Sequence, residues 1–206
     1  MMGLLRTPLR WSGGLVLLVS LTWGLSVRQP DILIAGDGTS VAVRGKDGQL
    51  HVIRASKDSF LLKEWLAADA DPRDAATNSL ADGVSCDETG CVTPLADGRL
   101  VALSLRVDGL ADDCSRAALV VTARPAPSGC AAMVVDRPRL ASQGALALTQ
   151  RGDGSSVQTV RARGTSRPWL PAGAGEGDFD GSLVPKTAAP RSRDATPAET
   201  DLQADD

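Results

Sequence analysis

The hydrophobic pattern of this chain changes character at Arg28. Before it, residues 11–27 (WSGGLVLLVSLTWGLSV) form one uncharged, mostly apolar run, preceded by Arg6 and Arg10 and closed by Arg28, Pro30 and Asp31. After it, apolar runs are short and broken by glycine turns, the pattern of strands and hairpins. Residues 31–35, 41–43 and 50–54 are apolar runs separated by Gly36-Asp37-Gly38 and Lys46-Asp47-Gly48, which predicts a three-strand meander. Ser59 fits an N-cap for a helix over 60–68, with Phe60, Leu61, Trp65 and Leu66 as its buried stripe. Residues 69–82 read as a polar loop. A second hairpin is expected from 91–94 and 100–105 around Ala96-Asp97-Gly98-Arg99, with Pro94 at its edge. A helix over 110–117 carries Cys114. Residues 119–122 and 131–136 read as strands joined by the loop 124–130, and 137–143 as a short helix capped by Gly144. A last hairpin pairs 145–150 with 156–162 around Arg151-Gly152-Asp153-Gly154. From 172 onward Gly, Ala, Pro, Asp and Thr dominate, which predicts disorder.

The run at 11–27 predicts a transmembrane helix or signal-anchor. As a helix it would span about 25 Å, slightly short of a bilayer core of ~30 Å. Leu4, Leu5 and local thinning could close that gap. Arg6 and Arg10 place residues 1–10 in the cytoplasm and the remainder outside. A cleaved secretory signal competes, with Gly24 and Ser26 as small residues at a cleavage site. Trp23, at the end of the run, suits an interfacial anchor instead. Both readings export the body of the protein.

Composition bounds that body. Residues 31–169 suffice for one domain with one core. Aromatic residues are only 3% with no Tyr, so the core must be built from Leu, Val, Ile and Ala. Few stacking platforms remain for bases or sugars. Residues 170–206 hold eight acids against three bases, a net −5, and the first 169 residues are +2. The bases there are scattered among acids, which argues against direct nucleic-acid binding.

Cys86, Cys91, Cys114 and Cys130 form an even set in the exported part and read first as two disulfides. Pairing of neighbours is the simplest of three connectivities, and a Cys114–Cys130 bridge would be worth about 3 kcal/mol. A four-cysteine zinc site needs pairs two to four residues apart, and Cys114 and Cys130 are too widely spaced for it. Free thiols are the remaining reading.

Other chemistry is sparse. The single histidine, His51, alternates with Leu50 and Val52 and reads as a strand residue facing solvent. No His-x-His, Gly-x-Ser-x-Gly or phosphate-binding glycine loop is present, so no catalytic residue, metal ligand or cofactor-binding residue is assigned. Asp69, Asp71 and Asp74 are the one carboxylate cluster, which lacks the glycine and terminal glutamate of a calcium loop and reads as a solvated loop. Arg151-Gly152-Asp153 matches an adhesion tripeptide, but a hairpin turn accounts for it.

The order of features resembles a known family. An apolar helix runs into Pro30-Asp31-Ile32-Leu33-Ile34, then Val41-Ala-Val-Arg-Gly-Lys-Asp-Gly48 and Phe60-Leu-Leu-Lys-Glu-Trp-Leu66. Asp71-Pro-Arg73, Ser85-Cys-Asp87, Asp113-Cys-Ser-Arg-Ala117, Val134-Val-Asp-Arg137, Gly144-Ala-Leu146 and Arg167-Pro-Trp169 follow. From Trp11 to about Trp169 the chain resembles the C-terminal end of ComEC-family competence proteins, inner-membrane channels for DNA uptake. The resemblance implies an α+β fold, a small strand-rich domain like a degenerate half of a metallo-β-lactamase fold. Two departures matter. The family channel has many membrane helices and this chain has one apolar run, so it resembles a detached tail: a split gene, a truncated remnant or a separate subunit. The metal-binding histidines of active relatives are missing, and residues 119–124 (LVVTAR) stand where those carry a His-His-Gly-Ser run.

The expectation is therefore a non-catalytic, membrane-tethered accessory or remnant domain. It would sit in the bacterial inner membrane by a single pass, with the C-terminal domain in the periplasm. Its expected partners are the membrane and the multispan part of the channel. One alternative is a disulfide-stabilised exported binding module unrelated to DNA. Another is a metal-dependent nuclease using Asp69, Asp71 and Asp74.

Overall fold

The structure, a computed structural model, describes residues 9–26, 28–54, 59–151 and 154–161. The expected disordered tail at 170–206 lies outside the described residues. Helix α1 (Leu9–Ser26) contains most of the N-terminal apolar run. Among the described residues, no helix is long and apolar enough to cross a membrane. The expected transmembrane span is corrected to that extent, and the physical reason is dilution: Arg10, Ser12, Ser20, Thr22 and three glycines interrupt the aliphatic residues of α1.

Strands β1 (Ile32–Ile34), β2 (Ser40–Arg44) and β3 (Leu50–Arg54) form the expected antiparallel meander, with Ile32 opposite Val43 and Ala42 opposite Val52. Its turns need glycine: Gly38 and Gly48 have φ of 70° and 78°. Helix α2 (Ser59–Ala68) starts one residue before expectation and is followed by a loop with a short 3₁₀ turn (Asn78–Ala81). Strands β4 (Ser85–Cys86), β5 (Gly90–Pro94) and β6 (Leu100–Ser104) run antiparallel. Helix α3 (Val107–Arg116) crosses over to β7 (Leu119–Thr122), which lies parallel to β6, and β8 (Met133–Val135) is parallel to β7. Helix α4 (Arg137–Gln143) precedes the hairpin of β9 (Leu146–Arg151) and β10 (Gly154–Thr159). Asp136 caps α4 by accepting from the Arg139 N–H at 3.2 Å, and Gly144 ends it.

The fold is α+β, with two five-stranded sheets in the orders β10-β9-β1-β2-β3 and β4-β5-β6-β7-β8. Their inner faces meet in one aliphatic core. Ile32, Ile34, Val41, Val43, Ile53, Leu146 and Leu148 come from the first sheet. Val101, Leu103, Leu119, Val121, Met133 and Val135 come from the second. The outer face of the first sheet is covered by Leu62 and Leu66 of α2 with Ala75 and Leu80. The outer face of the second is covered by Leu110, Cys114 and Ala117 around α3. Helix, sheet, sheet and helix thus form four layers.

Two expectations about faces are corrected. The buried stripe of α2 is Leu62 and Leu66, with Trp65 and Leu61 half-buried and Phe60 70% exposed. Leu61 and Leu62 are adjacent, so periodicity alone does not choose between them. His51 does not face solvent. It lies opposite Val43, on the face that meets the second sheet, because both faces of the first sheet are covered. Its side chain is 14% exposed.

Candidate functional site

The four cysteines form two bridges, Cys86–Cys91 and Cys114–Cys130. Cys86 and Cys91 are directly opposite across the β4–β5 ladder, with Cα atoms 4.0 Å apart. Cys114, on the inward side of α3, reaches Cys130 in the loop before β8, with Cα atoms 4.9 Å apart. The second bridge fastens a helix to the loop that follows the sheet's central parallel strand. The first links two neighbours in a ladder.

The three aspartates of the 69–82 loop do not converge. Asp69 accepts from both terminal nitrogens of Arg44, at 3.2 and 2.5 Å. Arg44 also donates to the carbonyls of Pro30 and Gly48, so it ties β2 to the chain before β1 and to the end of α2. Asp71 accepts from Arg73 through both carboxylate oxygens, and Arg73 donates on to the Leu50 carbonyl at 2.7 Å. The Arg73 hydrogen bonds hold the Asp71 carboxyl below the usual carboxylate range, against the opposing effect of burial. Asp71 in turn pushes the Arg73 guanidinium up. Asp74 accepts from the Ala76 N–H at 2.7 Å and shapes the turn. Asp69 and Asp71 are thus occupied by arginines, and Asp74 by backbone. Among the described residues, no three His, Cys, Asp or Glu side chains come together as a metal site.

His51 is held by its surroundings too. Its Nε2 lies 3.1 Å from the Asp47 carboxylate, and its Nδ1 is buried with no hydrogen-bond partner among the described residues. The ring lies over Gly45, where a Cβ would come within 2.4 Å of Nε2. The Gln49 N–H, foremost, and His51 after it lower the Asp47 carboxyl below its ordinary value.

The C-terminal ends of the parallel strands β6, β7 and β8 are where a ligand crevice is expected in an open sheet. Residues 119–124 end there, with Leu119 through Thr122 buried and Ala123 and Arg124 exposed. Ser104 is buried and donates to Asp113 of α3, and the Thr122 hydroxyl accepts from the Arg124 N–H at 3.3 Å. The β1–β2 turn packs against the same end. A Cβ on Gly38 would meet Leu140 at 2.7 Å and Ala123 at 3.4 Å. Ser104 and Asp113 pair here as hydroxyl and carboxylate, while His51 lies on β3 in the other sheet.

A cleft of about 200 Å³ opens elsewhere, between β3, the 3₁₀ turn and β4. Val52, Thr77, Asn78, Leu80, Val84 and Cys86 line it. It presents aliphatic side chains, the polar Thr77 and Asn78 and one disulfide cysteine, without a titratable group. Sequence reasoning missed Arg44 and Arg73 as partners of the aspartates. The Asp71-Pro-Arg73 and Asp97-Gly-Arg99 spacings were a usable signal, because both pairs close on themselves. The Arg44–Asp69 pair, 25 residues apart, left none. No family model, curated protein or solved structure matches the chain.

Proposed function

We propose that this chain is a non-catalytic, membrane-tethered accessory domain of a ComEC-type DNA-uptake channel, with its disulfide-closed domain on the periplasmic side. The observation that carries the reading is a helix with aliphatic side chains exposed all round, joined directly to a domain closed by two disulfides. Leu15, Val16, Leu17, Leu18, Val19 and Leu21 are each more than half exposed. Burying these side chains in apolar surroundings would stabilise the helix. The disulfides fit an oxidising compartment on the far side of the membrane.

The dilution of α1 by Ser, Thr and Gly favours a neighbour of other membrane helices over a lone anchor. At ~1.5 Å per residue the helix is about 27 Å long, a little under a bilayer core. Small residues and satisfied hydroxyls suit packing among helices. Thr22 already donates to the Leu18 and Val19 carbonyls, at 3.1 and 2.9 Å. The commitment of Asp69 and Asp71 to arginines supports a binding role over a nuclease.

The test is a clean deletion of the chain in a naturally transformable host. The reading expects the transformation frequency to fall and to recover when the chain is restored in trans. Unchanged transformation in the deletion strain overturns it. In that event the exported-module reading, unrelated to DNA, stands in its place.

A further inference from the structure

Each disulfide joins a buried cysteine to a more accessible one, Cys91 at 8% exposure to the exposed Cys86 and Cys114 to the half-buried Cys130, and the two differ in how open that second cysteine is. Cys114 is 7% exposed, inside the apolar cluster beneath α3. Cys86 is exposed, on a strand of two residues that are both exposed. That strand, β4, is the edge of its sheet and is paired only with β5, through Ser85 with Val92 and Cys86 with Cys91. The turn between the two cysteines carries a few hydrogen bonds besides the S–S bond. Asp87 accepts from the Thr89 and Gly90 N–H groups at 2.7 and 2.8 Å, and the Asp87 N–H donates to the Gly90 carbonyl. Cys86 of β4 and Val84 just before it also line the 200 Å³ cleft.

We propose that Cys86–Cys91 is an exchangeable disulfide, a site of action for a dithiol oxidoreductase, and that its reduction releases β4 and widens the cleft. This inference stands apart from the DNA-uptake reading, since it needs only the geometry of the hairpin. A thiolate of the dithiol attacks Sγ of Cys86, the more exposed of the two residues. The Cys86–Cys91 bond breaks, a mixed disulfide forms at Cys86, and Cys91 leaves as a thiolate and takes up a proton. The second thiolate of the reductant then attacks its own mixed-disulfide sulfur and releases Cys86. The dithiol ends as a disulfide and both cysteines as thiols, a transfer of two electrons. The oxidised partner reverses the step. Cys114–Cys130 exchanges more slowly, because Cys114 is buried beneath α3 and Cys130 is half-buried where Cys86 is exposed.

The experiment treats the purified full chain under native conditions with increasing dithiothreitol, followed by alkylation and peptide mapping. Cys86 and Cys91 should be labelled at least about tenfold faster than Cys114 and Cys130, as access to the attacked sulfur requires. Hydrogen exchange of the reduced, alkylated form should rise over residues 84–92 and not over α3. Equal labelling rates, or faster labelling of Cys114 and Cys130, overturn the proposal. So does selective reduction that leaves exchange over 84–92 unchanged, because β4 is then held without the bond. A C86S/C91S variant separates the bond from the chemistry of the reductant. It should show the raised exchange over 84–92 in the absence of any thiol, and wild-type exchange there contradicts the release of β4.

Discussion

The two outer layers of this sandwich do the same work by different means. Over the first sheet, Leu62 and Leu66 of α2 pack on Ala42, Leu50 and Val52. The loop that follows is fastened by charge, through Arg44–Asp69 and Arg73–Asp71, both pairs largely shielded from solvent. Over the second sheet, Leu110 and Ala117 pack on Ala102 and Val120, and the fastening is covalent, through Cys114–Cys130. The electrostatic clamp reaches backbone as well as carboxylate, with Arg73 on the Leu50 carbonyl and Arg44 on that of Pro30. The bridge holds a crossover helix and a loop between parallel strands, where closure is non-local and slow to find. The first layer should therefore answer to pH and the second to reductant.

The largest effect tests the covalent layer. Replacing Cys114 and Cys130 together by Ala should cost about 2–5 kcal/mol, read by guanidinium unfolding under non-reducing conditions. A loss below about 1 kcal/mol would mean that α3 is held by packing alone. Next is Arg73→Ala, which leaves the half-enclosed Asp71 carboxylate with the residue 73 backbone N–H but without the guanidinium. It should cost about 1.5–3 kcal/mol, and Asp71→Asn in the same background should recover part of that. Full additivity of the two substitutions would show that the pair does not act as a unit.

Acid should then separate the layers. The Asp71 carboxyl is lowered in the folded chain, chiefly by Arg73. Its contribution is complete above the unfolded value of about 3.9 and is lost as pH falls from there through the folded value. Unfolding measured from about pH 5 downward should show a stability slope that flattens in Asp71→Asn, with the disulfides intact throughout. An identical slope in that variant would assign the acid sensitivity elsewhere. The smallest effect belongs to the exposed Asp97–Arg99 pair, where Asp97→Asn should change stability by less than about 1 kcal/mol.

The contrast between the layers also marks what the sequence made legible. Local signals carried well. Asp47-Gly48 and Asp97-Gly98 turned where expected, Gly144 ended α4, and the neighbouring cysteines paired, whereas Asp136, read as a strand residue, caps α4. Non-local ones did not. Nothing near β1 announces that β9 pairs along its free edge, with Leu148 opposite Ile32. β4 is two residues long, too short for any period to register. His51 was misplaced because alternation identifies two faces but does not say that both are covered. Arg44 and Asp69 meet only through the fold, so the carboxylate cluster read as solvated.

The central claim is that α1 lies among the helices of a DNA-uptake channel while the domain it carries is exported. Site-specific photocrosslinking from Trp23, 75% exposed near the end of α1, tests it most directly. A photoreactive residue there, in intact cells of a transformable host, should yield an adduct whose mass and peptides include the multispan channel protein. Efficient crosslinking to lipid or to other envelope proteins, with no channel adduct while the channel is expressed, would contradict the account.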